Sequence, residues 1–199
     1  MSLVEPRMGT DGSSKKVEIW VQGHSGSPFS LRMRILVGLW WLVEGTLFRM
    51  SLHTMHGWRR ALLRLFGAKM SPGASVHASA TVWFPGNLVM GRHSGIGFNA
   101  VVYNLDTVTI GDYVSIAHRV HLNTGSHDYG DPGFRLITKP ISIGSGAFVG
   151  TDTYVGPGVT IGEMTVIGAR SVVTKNMPSE MVCYGHPCRP MKRREKTHK

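Results

Sequence analysis

Along the second half of the chain an aliphatic residue returns at every sixth position, at Ile143, Val149, Val155, Ile161, Ile167 and Val173. A glycine follows each of the first five, at Gly144, Gly150, Gly156, Gly162 and Gly168. Four residues after each of these aliphatics stands a small or β-branched residue: Ala147, Thr153, Val159, Thr165 and Ser171. The same rhythm runs upstream in shorter stretches, Val76, Val82, Leu88, then Met90, Ile96, Val102, then Ile110, Ile116, Leu122. Gly91, Gly97, Gly111 and Ala117 follow four of those aliphatics. Each stretch is displaced by two residues from the last, which predicts small insertions between coils.

A period of six fits neither a helix nor an amphipathic strand. It fits a chain that turns a corner every six residues, so that three turns close a triangular coil. The aliphatic residue then points inward and stacks on its counterpart one coil further on. The glycine relieves a corner where a positive φ or a crowded backbone would punish a side chain. The fold class predicted is all-β, a parallel β-helix over residues 71–191 that lengthens by about 4.8 Å per coil. General crossover geometry would wind it right-handed.

The rhythm fails between Leu122 and Ile143, where Asn, Gly, Asp, Pro and Ser dominate. Residues 123–140 are therefore expected to leave the prism as an extruded loop. Long irregular excursions from a regular scaffold usually carry function, and this one holds His127 beside Asp128. Ahead of the repeats, residues 30–70 read as an N-terminal helical segment. Its apolar stretch, residues 35–48, contains Glu44 and falls short of the ~20 residues that a membrane-spanning helix needs. Two placements remain for it: a helix packed on the main domain, or a membrane-surface helix over residues 31–50 flanked by Arg32, Arg34 and Arg49. Residues 1–29 lack the pattern of a secretory signal and read as a flexible leader. Residues 192–199 read as a basic tail.

Two cysteines, Cys183 and Cys188, in 199 residues imply no disulfide framework, and a reducing compartment, the cytoplasm, follows. Neither sits in a Cys-His-Asp pattern, so both read as structural. Lys and Arg outnumber Asp and Glu by 22 to 12, which favours a polyanionic partner. The excess gathers at the two ends, in Arg59, Arg60 and Arg64 and in Lys192, Arg193, Arg194, Lys196 and Lys199. With no nucleic-acid motif between them, this is not a nucleic-acid track.

Residues 143–173 match the hexapeptide motif of the left-handed parallel β-helix proteins, and that resemblance implies left-handed winding. The stretch from His127 to Arg189 resembles the galactoside and maltose O-acetyltransferases. The strings Thr124-Gly125-Ser126-His127-Asp128-Tyr129, Leu136-Ile137-Thr138-Lys139-Pro140-Ile141 and His56-Gly57-Trp58-Arg59-Arg60 are closer still to the colanic-acid biosynthesis acetyltransferases. The likeness spans roughly residues 30–191. It implies an acetyl-CoA-dependent O-acetyltransferase that acts by direct transfer on a hydroxyl of a sugar or polysaccharide precursor, without a metal. It also implies a homotrimer whose sites lie between subunits, with His127 as general base. By position, Thr151, Ala169, Thr174, Lys175 and Arg189 would contact coenzyme A, and the Gly150–Thr151 corner would offer a backbone N–H to the oxyanion. Asn104, Asp106 and Asn99 fall where relatives meet the acceptor or orient the histidine, though each reads equally as an Asn or Asp corner. The Asp-Asp pair of the galactoside enzymes is missing, so their acceptor does not carry over. Serine or a xenobiotic is the alternative acceptor, but the acidic helical domain of serine acetyltransferases is absent. A non-catalytic β-helix scaffold would have no elaborate loop. A zinc site of the carbonic anhydrase kind would need three converging histidines, and the spacing of His93, His118 and His121 does not resemble that motif.

Overall fold

In the computed structural model, which describes residues 30–195, the hexapeptide pattern winds into a three-sided prism of parallel strands. The proposed leader and Lys196 and Lys199 lie outside the described residues. Each face is one sheet, and each has a column of inward side chains. The first column runs Met70, Met90, Ile110, Ile143, Ile161 and on to Met177. The second runs Val76, Ile96, Ile116, Val149, Ile167, Cys183. The third runs Val82, Val102, Leu122, Val155, Val173. Nearly all of these side chains are fully buried and form one continuous core, so the strands, mostly two residues long, are held by stacking rather than by their own length.

The two-residue displacements are not insertions at corners. On the first face the strands Leu88–Met90, Val108–Ile110 and Ile141–Ile143 each turn both end residues inward. The coil gains one wider side, and Leu88, Val108 and Ile141 are as buried as their partners. The prism also starts slightly earlier than expected, with Lys69–Met70 already paired to the next coil.

Of the two reasons a corner might need glycine, the structure separates them by position. The residue directly after the aliphatic faces crowding on the first and second faces, but not on the third, where a Cβ on Gly156 would meet nothing closer than 3.5 Å. A Cβ on Gly144 would lie 2.5 Å from the Glu163 nitrogen of the next coil, and one on Gly150 would lie 2.6 Å from the Ala169 nitrogen. The positive φ falls instead three residues after the aliphatic, at His93, Asn99, Tyr113, Arg119, Asp152, Met164 and Arg170, with φ between 54° and 59°. Gly146 and Gly158 occupy this same position. Non-glycine residues tolerate it because the stack fixes the corner from both sides.

A stack of parallel coils ends in three unpaired strands, and the N-terminal segment closes them one face at a time. Helix α1, Leu31–Val43, continues through a π-helical turn, Glu44–Phe48, and is followed by helix α2, His56–Leu65. Arg64 donates to the Met70 carbonyl on the first face. On the second face Arg59 Nε donates to the Val76 carbonyl at 2.8 Å, and Arg60 reaches the Ala74 carbonyl. On the third, Trp40 Nε1 donates to the Val82 carbonyl at 2.7 Å while the Val82 N–H donates to Glu44 Oε1 at 2.8 Å. Arg59 is completely buried, and its remaining donors reach Ser51 Oγ, the Leu52 and His53 carbonyls and His56 Nδ1. Arg59 is thus committed to closing the prism and is not available to a polyanion, while Arg60 is half-buried and Arg64 exposed. Burial pushes the Glu44 carboxyl up, against the lowering effects of the Val82 amide and Arg49.

At the far end Met181–Gly185 adds in parallel to Val166–Ile167, and Cys188–Arg193 folds back antiparallel on it. The strand therefore takes in Lys192 and Arg193, which were expected in the tail. Arg194 follows it and donates to the Gly146 and Met164 carbonyls.

The crowding at Gly144 is directly measurable. Gly144→Ala should lower stability by about 1–3 kcal/mol, the usual cost of overpacking a close-packed interior. Gly95→Ala, whose Cβ would meet only Ser75 Oγ at 3.5 Å, should leave the unfolding midpoint near that of the parent. Parallel thermal unfolding of the two variants tests this, and equal midpoints would contradict the crowding argument.

Candidate active site

The chain leaves the third face after Leu122 and rejoins the first face at Ile141, so the extruded segment hangs from the edge between those faces. It is more ordered than its composition suggested. Gly125–His127 and Leu136–Thr138 pair antiparallel, with His127 opposite Leu136, and the Lys139 N–H donates to the Thr124 carbonyl to close the base. The tip is built from Asp turns. Asp128 accepts from the Gly130 N–H, while Asp131 accepts from the Gly133 N–H and pairs with Arg135. The Arg135 guanidinium is the main reason that the Asp131 carboxyl stays below its usual range.

His127 is exposed, and its ring stacks on Phe134 with centroids 4.7 Å apart and planes 9° from parallel. Its Nδ1 lies 2.7 Å from the Phe134 carbonyl oxygen. A carbonyl can only accept, so Nδ1 carries a proton, and in the neutral ring Nε2 is the nitrogen left with the lone pair. Asp128 takes no part in this; its carboxylate caps the turn instead.

The other expected site residues divide between two edges of the prism. Asn104, Asp106, Thr174 and Lys175 lie on the edge that carries the hairpin, between the third and first faces. Thr174 and Lys175 meet Asn176, Pro187 and Arg189 around a cavity of about 400 Å³. Asn99, Thr151 and Ala169 follow second-face strands and lie on the edge between the second and third faces. Within one chain these two groups do not converge.

Asn104 is fully buried, and both ends of its amide are engaged: Oδ1 accepts from the Phe84 N–H at 3.0 Å and Nδ2 donates to the Phe84 carbonyl at 2.7 Å. Its side chain is a corner clamp. Asp106 accepts from the Thr107 N–H, while Asn99 is exposed at one of the positive-φ corners. At the Gly150–Thr151 corner, the Gly150 N–H already donates to the Ile167 carbonyl at 2.8 Å and is lost as an oxyanion donor. The Thr151 N–H finds no acceptor among the described residues and is the amide left at that corner.

His118 did not stand out in the sequence as part of this edge. Its ring stacks on Phe98, centroids 4.7 Å apart, and its Nε2 lies 3.1 Å from the Thr151 hydroxyl. Counting from Ile116 would have placed it one coil from Thr151. His93 stacks on Tyr113 and His121 lies edge-on to Tyr154, so the three histidines considered for zinc sit with three different partners.

The family model described as bacterial transferase hexapeptide (six repeats) matches residues 140–175. The acetyltransferase WcaF of Escherichia coli (strain K12), assigned by name to colanic acid biosynthesis, is 40% identical over 163 residues, covering 82% of this chain and 90% of that protein. The chain belongs to the hexapeptide-repeat acetyltransferases. Among solved members of this fold, a galactoside acetyltransferase in complex with coenzyme A superposes with a TM-score of 0.78 at 29% identity, over 85% of this chain and 86% of that one. A maltose O-acetyltransferase from Clostridium difficile 630 gives 0.75 at 26% identity, over 84% and 90%.

Both cysteines of this acetyltransferase are buried and free. Burial, with Cys188 nearby, pushes the Cys183 thiol up to about 11, and burial also raises Cys188. Thiolate is the reactive form, so near pH 8 the folded protein should react with a thiol reagent at well under a tenth of the denatured rate. Unfolding should release both thiols. Fast titration of either cysteine in the native protein would overturn their structural assignment.

Proposed function

We propose that the chain transfers the acetyl group of acetyl-CoA to a hydroxyl of a saccharide or saccharide precursor, with His127 as the general base. The observation that carries this reading is the Nδ1–Phe134 carbonyl bond. It fixes the neutral tautomer whose Nε2 can take a proton, and it does so from the one sizeable excursion of the prism among the described residues. An alcohol is a weak nucleophile at neutral pH, and imidazole has the basicity to deprotonate it during attack. Nε2 accepts the hydroxyl proton as the oxygen bonds to the thioester carbon. The resulting oxyanion takes a hydrogen bond from the Thr151 N–H. Collapse breaks the carbon–sulfur bond, and the imidazolium returns its proton to the departing thiolate. No acyl-enzyme forms, in keeping with the buried thiols.

Lys175 and Arg189, at the rim of the 400 Å³ cavity, are suited to the phosphates of coenzyme A by charge and fork geometry. A homotrimer supplies what one chain lacks: the hairpin edge of one subunit would face the Asn99–Thr151–Ala169 edge of a neighbour, so that base and oxyanion donor come from different chains. The names of the relatives, which include galactoside, maltose and colanic acid acetyltransferases, support the saccharide acceptor.

His127→Ala should cut turnover by roughly 10² to 10⁴ while the unfolding midpoint and acetyl-CoA affinity stay close to the parent's, because the hairpin lies outside the stacked core. His127→Asn should be nearly as inactive. Thiol release from acetyl-CoA across a panel of sugars, nucleotide sugars, serine and chloramphenicol reads this out, and turnover of the alanine variant within about threefold of the parent at pH 7 would remove His127 from the mechanism.

Lys175→Ala and Arg189→Ala should each weaken acetyl-CoA binding by about 1–3 kcal/mol, measured by calorimetry. The active species should scatter light as three chains. An active 21.8 kDa monomer would exclude the shared site.

A further inference from the structure

Helix α1 is apolar on more than one side, and the prism covers only one of them. Its buried stripe is Val37, Trp40, Glu44 and Phe48, the last two from the π-helical turn. At about 100° per residue, Leu31, Ile35, Leu39 and Leu42 form a second stripe on the opposite side. These four are 71%, 55%, 51% and 65% exposed. Arg32 and Arg34 fall on the two sides of this stripe, both exposed. Beyond the helix the apolar surface continues through Leu47, Met50 and Leu52, with Arg49 between them. Glu44 is the sole carboxylate of residues 30–70, and it is buried against the Val82 N–H. The surface around the stripe therefore carries cations and no exposed carboxylate.

We infer that α1 and the turn after it form a docking surface for an anionic lipid bilayer, with the Leu31–Ile35–Leu39–Leu42 stripe entering the interface and Arg32, Arg34 and Arg49 meeting lipid phosphates. An apolar partner protein would explain the leucines but not the one-signed rim, whereas an anionic interface uses both. Arginine suits this placement because its stem lies along apolar surface while the guanidinium stays with the headgroups. No helix among the described residues is long and apolar enough to cross a membrane, so the helix lies along the surface. Trp41 and Trp58, both partly exposed, sit at the margin of the same surface, where amphipathic rings favour the headgroup level.

The test is sedimentation of the full-length chain with phosphatidylcholine vesicles, with and without phosphatidylglycerol. The wild type should bind the phosphatidylglycerol vesicles, and salt should weaken that binding. L39E/L42E and R32E/R34E should each lose binding by about tenfold or more while keeping the wild-type unfolding midpoint and gel-filtration volume, since none of the four side chains is buried. Absent binding, binding indifferent to phosphatidylglycerol, or binding unchanged in L39E/L42E would each overturn the inference. Vesicle binding that arises only once residues 1–29 are removed would give the stripe to that segment instead. A changed elution volume for L39E/L42E would give it to a second copy of the chain.

Discussion

Everything in this molecule follows from stacking one coil on the next at strand spacing, about 4.8 Å. At that distance each side of a coil has room inside for one aliphatic side chain, or two on the wider first face, and little just past it. Ile143 and Val149 fill the interior, and the residue behind each is glycine because the next coil's backbone is already there. The strand hydrogen bonds run along the stack, from each coil to its neighbours, so a coil in isolation would keep only the bonds of its corners and would have no core. Stability belongs to the column and not to any turn of it.

The same constraint makes the two ends expensive, since a column exposes three open strands wherever it stops. The far end solves this with more strand. The near end uses side chains, and the solution turns on charge: Arg59 is buried among carbonyl oxygens, and no carboxylate among the described residues pairs with it. A guanidinium can do this because its planar donors reach several carbonyls at once, and carbonyl dipoles that would point into an uncapped end stabilise the cation in return. Charge that counts toward the chain's +10 is therefore partly internal architecture.

This explains which features were legible in the sequence. The period of six forced the prism, and a loss of period forced an excursion, because both are properties of local spacing. The positive-φ position three residues after each aliphatic was hidden, since Met164, Arg170 and Tyr113 carry no compositional mark of it. The two-residue displacements resembled insertions because a wider face and an added corner lengthen the chain equally. His127 could be singled out from its loop, but its tautomer depends on the Phe134 carbonyl seven residues away, a contact that exists only once the hairpin has paired. The capping role of Arg59 was invisible for the same reason, as its partners at Val76 and Ser51 are brought together only by the finished end of the prism. Handedness came from resemblance, because periodicity is identical in mirror-image coils.

The hairpin has one more property that matters for how such a protein can change over time. Ile110 pairs directly with Ile143 as if the chain between them were an ordinary turn, and the base is sealed by a single backbone bond between Lys139 and Thr124. Chain added or removed beyond that seal leaves the register of the column untouched. The prism thus separates inheritance into two streams: coil residues, each answerable to the layers above and below, and the residues of the hairpin past Gly125, which packs on Leu105, answerable chiefly to one another and to whatever molecule they meet. A lineage can rewrite the second without renegotiating the first.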